Sequence, residues 1–272
     1  MLYNALMKRG LGQTEMAFFA YAQMRGLATV RTGDLVSPLR LSAVQERKLL
    51  SRLSKAALIA RAWRGLYLVP SRIPLGAKWS PDEAQALNAL MAGKKGRYQI
   101  CGPNAFNRYG YESQIPVRVY AYNNRLSGER VIGSVPLSLI KVADVRLGST
   151  EEVESADGQT AIYASRVRTL VDSVYDWSRF DSLPRGYDWI RADLAAGLIE
   201  PEELVTATLR YGDKGTIRRM GVLLERENIG EAILKKLEGA LKPTIGLISW
   251  IPTKPRRGTV NRRWGILFNA GT

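Results

Sequence analysis

The sequence predicts an α+β protein, and three observations carry that expectation. Helix-spaced apolar residues followed by a short two-stranded ribbon occupy the first seventy residues. Extended segments separated by turn residues run from Tyr98 to Val142, and helical spacing dominates from Arg168 onward. With 272 residues and 46% apolar composition, the chain suits two domains and needs no covalent staples.

Residues 13–24 place Met16, Phe19, Ala20 and Gln23 or Met24 at helical spacing, with Gly26 as the stop. Residues 28–30 read as a short extended piece. Thr32 then reads as the N-cap of a second short helix through Asp34, Leu35 and Val36, ended by Ser37-Pro38. A third helix starts at Ser42, where Ser42 and Gln45 fit a capping box, and runs to about Ala57. Two strand-like runs, 58–62 and 66–69, flank Trp63-Arg64-Gly65, a hairpin with glycine where a positive φ is wanted. Three helices followed by a two-stranded ribbon is the order of a winged helix-turn-helix. That order assigns residues 1–72 to a DNA-binding domain, 70–78 to a linker, and 79–272 to a larger mixed α/β domain.

On the third helix, Leu49, Leu50, Leu53, Ala56 and Ala57 share one face at 100° per residue, and that face is expected to be buried. Val44, Arg47, Lys48, Ser51 and Lys55 fall opposite, with Arg52 at the flank and Gln45 nearer the buried edge. In a helix entering the major groove, the exposed N-terminal residues reach base edges and later ones reach phosphate. Val44, Arg47, Lys48 and Ser51 are therefore the candidate base readers. Arg52 and Lys55, with Arg61 and Arg64 of the ribbon, suit phosphate. Solvation of an outward face is the ordinary alternative, against which an outward Val44 counts.

Charge points the same way. Net charge is +15. Residues 1–75 hold 12 basic and 3 acidic side chains, residues 76–150 hold 10 and 5, and residues 151–250 reverse to 13 and 17. Positive charge concentrated at one end implies a polyanionic partner, most often nucleic acid. The acidic stretch reads as ordinary solvated helix surface.

Several chemistries are excluded. There is no histidine, which removes imidazole catalysis and His-ligated zinc, and one cysteine allows no internal disulfide. Pro81-Asp82 opens a nuclease-like pattern, but its Glu-x-Lys or Asp-x-Lys partner is missing at Lys94 and Lys95. Ser80 as N-cap, Pro81 at the first turn and Glu83 closing the box explain those residues as the start of a helix to about Met91. Glu46-Arg47-Lys48 reads as a chance match. Asp172 and Asp176 read as a solvated pair one turn apart on a helix surface. No enzyme, cofactor or metal is expected. No apolar run reaches a membrane span, and Lys8-Arg9 lies on the wrong side of its apolar stretch for a signal peptide, so a cytoplasmic location is expected.

The mixed region is expected to hold strands at 98–101, 117–122, 131–140 and 161–164, with turns at Gly102-Pro103, Asn123-Asn124 and Ser127-Gly128. Helices are expected from Arg168, from Pro201-Glu202-Glu203-Leu204, and over 217–226.

Five segments, in order, carry a family resemblance: Arg64-Gly65-Leu66-Tyr67; Cys101-Gly102-Pro103-Asn104-Ala105-Phe106-Asn107-Arg108-Tyr109-Gly110; Ala164-Ser165-Arg166-Val167-Arg168-Thr169-Leu170-Val171-Asp172; Arg219-Met220-Gly221-Val222-Leu223-Leu224-Glu225; and Asn261-Arg262-Arg263-Trp264-Gly265-Ile266-Leu267-Phe268-Asn269. Together they resemble the AbiEi abortive-infection antitoxins of bacterial toxin–antitoxin systems. The resemblance implies a winged helix that binds inverted repeats upstream of its own operon, as an autorepressor on double-stranded DNA. It also implies a second domain that counters a nucleotidyltransferase-type toxin without necessarily touching it. Two other readings stay open: a winged-helix transcription factor with no toxin, and a metal-dependent nuclease.

Overall fold

The structure is a computed structural model that describes residues 11–72, 78–155, 158–241 and 246–269. The expected linker falls largely on 73–77, and the signal-peptide reading on 1–10; both lie outside the described residues.

Helix α1 (Gln13–Met24) ends in a Schellman motif: Gly26, at φ +60°, donates to Gln23 O, and Leu27 N donates to Ala22 O. It buries Phe18, Phe19 and Ala22; of the residues at helical spacing Phe19 is buried and Met16 half-buried, whereas Ala20 is exposed and Met24 is 74% exposed. From Met16 to Ala22 the chain is apolar on every side, so spacing alone does not single out a face.

Strand β1 (Thr29–Arg31) follows, then a run of turns over 32–40 where a short helix was expected. Two features hold the turns. Asp34 accepts from Arg31 N at 2.7 Å, and a buried carboxylate, Glu46, accepts from Gly33 N at 2.7 Å and Leu35 N at 2.8 Å. Those main-chain amides belong to a side chain and not to a helix start. Gly33, at φ +109°, also takes a backbone conformation that a helix does not use.

Helix α2 (Ala43–Lys55) opens with the expected capping box between Ser42 and Gln45. Leu49, Leu50 and Leu53 are buried as expected, but Ala56 is exposed, Gln45 is exposed, and Ala57 leaves the helix at φ +52° as its Schellman residue. Strands β2 (Ala60–Trp63) and β3 (Leu66–Leu68) form a hairpin through Arg64-Gly65, with Gly65 at φ +77° and a bulge between Arg61 and Trp63. The antiparallel order is β1-β3-β2, with Thr29 opposite Leu68. Phe18, Phe19, Leu35, the three α2 leucines, Ile59 and Val69 make one core beneath it.

Helix α3 (Glu83–Lys94) starts two residues later than expected. Asp82 accepts from Gln85 N at 2.7 Å and Gln85 answers to Asp82 N, so Asp82 and Gln85 form the box instead of Ser80 and Glu83. Ser80 Oγ is engaged elsewhere, accepting from Ser134 N at 2.8 Å.

The remaining elements are mixed α and β. Strands β4 (Tyr98–Ile100), β5 (Val119–Asn123), β6 (Gly128–Ile132), β7 (Val135–Lys141), β8 (Thr150–Glu154) and β9 (Thr160–Ala164) form one sheet in the order β6-β7-β5-β4-β9-β8. β5 runs parallel to β7, and β6 antiparallel to it. Gly102-Pro103, read as a turn, opens a short helix, α4 (Pro103–Arg108). Helices α5 (Arg166–Tyr175), α6 (Trp177–Phe180), α7 (Arg185–Ala195), α8 (Pro201–Tyr211), α9 (Lys214–Arg226) and α10 (Glu231–Gly239) follow. A small sheet closes the chain: β10 (Ile248–Ser249), β11 (Thr259–Asn261) and β12 (Ile266–Phe268), with β12 central.

Contacts divide the chain into two compact units. One comprises 1–98, 117–142 and 152–162; the other comprises 99–116, 143–151 and 163–272. The second unit has its own core, which includes Leu170, Val171, Ile190, Leu204, Met220, Leu224 and Trp264. No described helix is long and apolar enough to cross a membrane.

Candidate nucleic-acid interface

The candidate surface is the outer side of α2. Its geometry follows from one stripe: Glu46, Leu49, Leu50 and Leu53 are all buried, at the i, i+3, i+4, i+7 spacing of a single helix face. The remaining charged residues of the helix therefore face away. Val44 is 52% exposed, and Arg47, Lys48, Ser51, Arg52 and Lys55 are exposed with it. Val44, Arg47, Lys48, Ser51 and Arg52 line a shallow groove of about 430 Å³ along the helix. Lys55 lies one turn further on.

Among the described residues, Arg47, Lys48 and Lys55 have no acidic partner, whereas Arg52 donates to Glu15 of α1 at 2.5 Å. An exposed pair of that kind contributes at most about 1 kcal/mol and yields readily to a better anion. Arg61 points outward from β2 and donates weakly, at 3.4 Å, to Trp63 O; Arg64 stands exposed in the hairpin turn. All eight predicted side chains are thus at the surface of the first unit.

Sequence reasoning missed Glu46 as the anchor of this surface. In sequence Glu46-Arg47-Lys48 reads only as a chance match to a metal-binding pattern, although Glu46 stands in register with the leucines. Sequence reasoning also missed Arg130 of β6, whose guanidinium lies 4.8 Å from the ring centre of Trp63. Alternation along β6 places Arg130 on one face with Ile132, but nothing local ties that strand to the hairpin.

The carboxylates weighed for catalysis are accounted for otherwise. Asp82 caps α3. Asp172 is not solvated: it is buried, accepting from Arg168 Nε at 2.9 Å and facing Arg146 at 3.4 Å. Burial pushes its carboxyl above the ordinary range, and the two guanidinium charges pull the other way. Asp176 pairs with Arg179 at 3.0 Å. The second unit also has a groove of about 710 Å³, lined by Arg166 and Arg210 together with Glu151, Glu202 and Glu203. Its mixed charge favours no one class of ligand.

The segments that carry the family resemblance are mostly interior. Phe106, Arg168, Leu170, Met220 and Trp264 are all buried, and Gly221 abuts the Trp264 ring. Arg166 pairs with Asp193, which also accepts a hydrogen bond from Tyr111; burial and that carboxylate hold the Tyr111 hydroxyl well above its ordinary range. Four of the five segments lie in the second unit; Arg64-Gly65-Leu66-Tyr67 belongs to the β2–β3 hairpin of the first.

No family model matches the chain, and no curated protein matches it. Among solved structures, it is similar to the crystal structure of the RV2827C protein from Mycobacterium tuberculosis, with a TM-score of 0.59. The two are 15% identical, over 94% of this chain and 91% of that one. What they share is a fold.

Proposed function

We propose that the first seventy-two residues act as a winged helix-turn-helix, with α2 as the recognition helix and the β2–β3 hairpin as the wing. In this reading the protein binds double-stranded DNA upstream of its own operon, in the bacterial cytoplasm, and works by binding rather than catalysis. One observation carries it: α2 holds its leucines inward and presents Val44, Arg47, Lys48 and Ser51 together, with no acid opposing the two cations among the described residues. Arginine and lysine near the start of a groove-reading helix suit guanine, and a valine suits a thymine methyl. The order helix, strand, turns, helix, hairpin is compatible with the same reading.

The second half of the proposal is that the protein is an antitoxin opposing a nucleotidyltransferase-type toxin. It rests on the five AbiEi-like segments.

A mobility-shift titration on the DNA upstream of the gene tests the first half. The Arg47→Ala/Lys48→Ala double variant is expected to bind at least about tenfold more weakly, with the slope of log affinity against log salt reduced by as much as about 2 if both side chains meet phosphate. Unchanged affinity and slope would overturn the assignment of α2. Co-expression with a neighbouring nucleotidyltransferase gene tests the second half; growth arrest that this protein fails to relieve would overturn it.

A further inference from the structure

A second basic surface lies in the same unit as α2. Arg61, Trp63 and Arg64 of the hairpin, with Arg130, Val131 and Ile132 of β6, line an open groove of about 430 Å³. Three guanidinium groups and no carboxylate line it. The acid next to Arg130 in sequence, Glu129, is bound by Arg118, which holds its carboxyl below the usual carboxylate range. Among the described residues, Arg130 has no acidic partner.

Two details narrow the ligand. Arg130 Nε is buried and among the described residues has no hydrogen-bond partner, so the guanidinium has lost water there without gaining an acceptor. An oxyanion in the groove would not touch that covered atom but would meet the guanidinium at its outer Nη edge, and arginine meets phosphate in a forked, two-bond geometry. The aromatic floor is already occupied: Trp63 carries the Lys94 ammonium 3.1 Å from its ring centre and the Arg130 guanidinium at 4.8 Å. An unpaired base stacking on Trp63 would have to displace these cations. A backbone phosphate needs only the groove's edge.

We infer that this groove is a phosphate site for duplex DNA, and that Arg130, outside the helix-turn-helix, extends the interface onto β6. This rests on the DNA-binding reading above, and adds a contact that the reading does not include.

The test uses the full chain and a fluorescent duplex of the upstream DNA, titrated at several salt concentrations. Arg130→Gln is expected to lower the salt slope by about 0.9 and weaken binding roughly 5- to 10-fold at about 0.1 M salt. Arg130→Lys, which keeps the charge, is expected to retain the slope. If Arg130→Gln fails to fold, as judged by circular dichroism, Val131→Glu, which sets a carboxylate at the exposed β6 edge of the same groove, takes its place with the same expected weakening. Excess orthophosphate, compared with chloride at matched ionic strength, separates the sources: selective competition by free phosphate at millimolar concentration would mark a small-anion site and overturn the duplex assignment. Wild-type slope and affinity in the glutamine variant, beside a weakened Arg47→Ala/Lys48→Ala protein, would overturn this inference alone. Absence of any duplex binding by the wild type would overturn both.

Discussion

Glu46 sits among leucines in a helix whose other charges face water, and its carboxylate takes two main-chain amides from the preceding turn. Glutamine has the same shape but one acceptor oxygen, and would point an NH2 at an N–H donor. Glu46→Gln should therefore cost about 1–3 kcal/mol of stability, the price of leaving a buried amide unsatisfied. Urea denaturation measures it, and an unchanged midpoint would mean the two bonds contribute nothing. The position was partly legible in advance. Its spacing with Leu49, Leu50 and Leu53 was plain, but a carboxylate in an apolar stripe becomes intelligible only once its partners, 11 and 13 residues away, are in view. The outward set from Val44 to Lys55 was legible in full, because helical spacing alone decides it. Arg130 was not, since its significance depends on a neighbour far away in sequence.

At the scale of elements, α9 and the β11–β12 hairpin meet at Gly221 and Trp264. A methyl group at residue 221 would fall within the van der Waals envelope of a buried, rigid ring. Gly221→Ala should lose about 3 kcal/mol, as overpacked cores do, and a thermal melt reads it directly. A wild-type melting temperature would mean the ring has room to move. Arg263 of the same hairpin binds Glu225, Glu231 and Glu238 at 2.7–3.2 Å. Its hydrogen bond holds the Glu231 carboxyl below the ordinary range. A lowered pKa stabilises the fold above the unfolded-state value, and the gain disappears as pH falls through the folded one. The difference in urea midpoint between wild type and Arg263→Met should thus shrink from pH 7 to pH 3; a difference that holds constant would rule out the carboxylates as its source. Caps and long helices were legible here, including the Ser42–Gln45 box. Asp82 was not, because two overlapping boxes, 80–83 and 82–85, fit the same residues and spacing does not choose between them. The terminal strands, of two or three residues, are too short to show any alternation.

For the molecule as a whole, composition and charge located the basic surface before any geometry did. The mixed α and β class was legible from the change in texture after Tyr98. The strand order was not: β5 pairs in parallel with β7 although β6 comes between them in sequence and sits at the sheet edge beyond β7, and no local pattern specifies such a crossing. Nor did the alternation of helices and strands indicate that residues 117–142 share a compact unit with the N-terminal segment. The tie between Glu46 and the turn before it has a last implication. It grips peptide groups, not side chains, so exposed Thr32, Ser37 and Pro38 carry none of its strength. Selection can rewrite the chemistry displayed on that loop while the helix behind it keeps its footing.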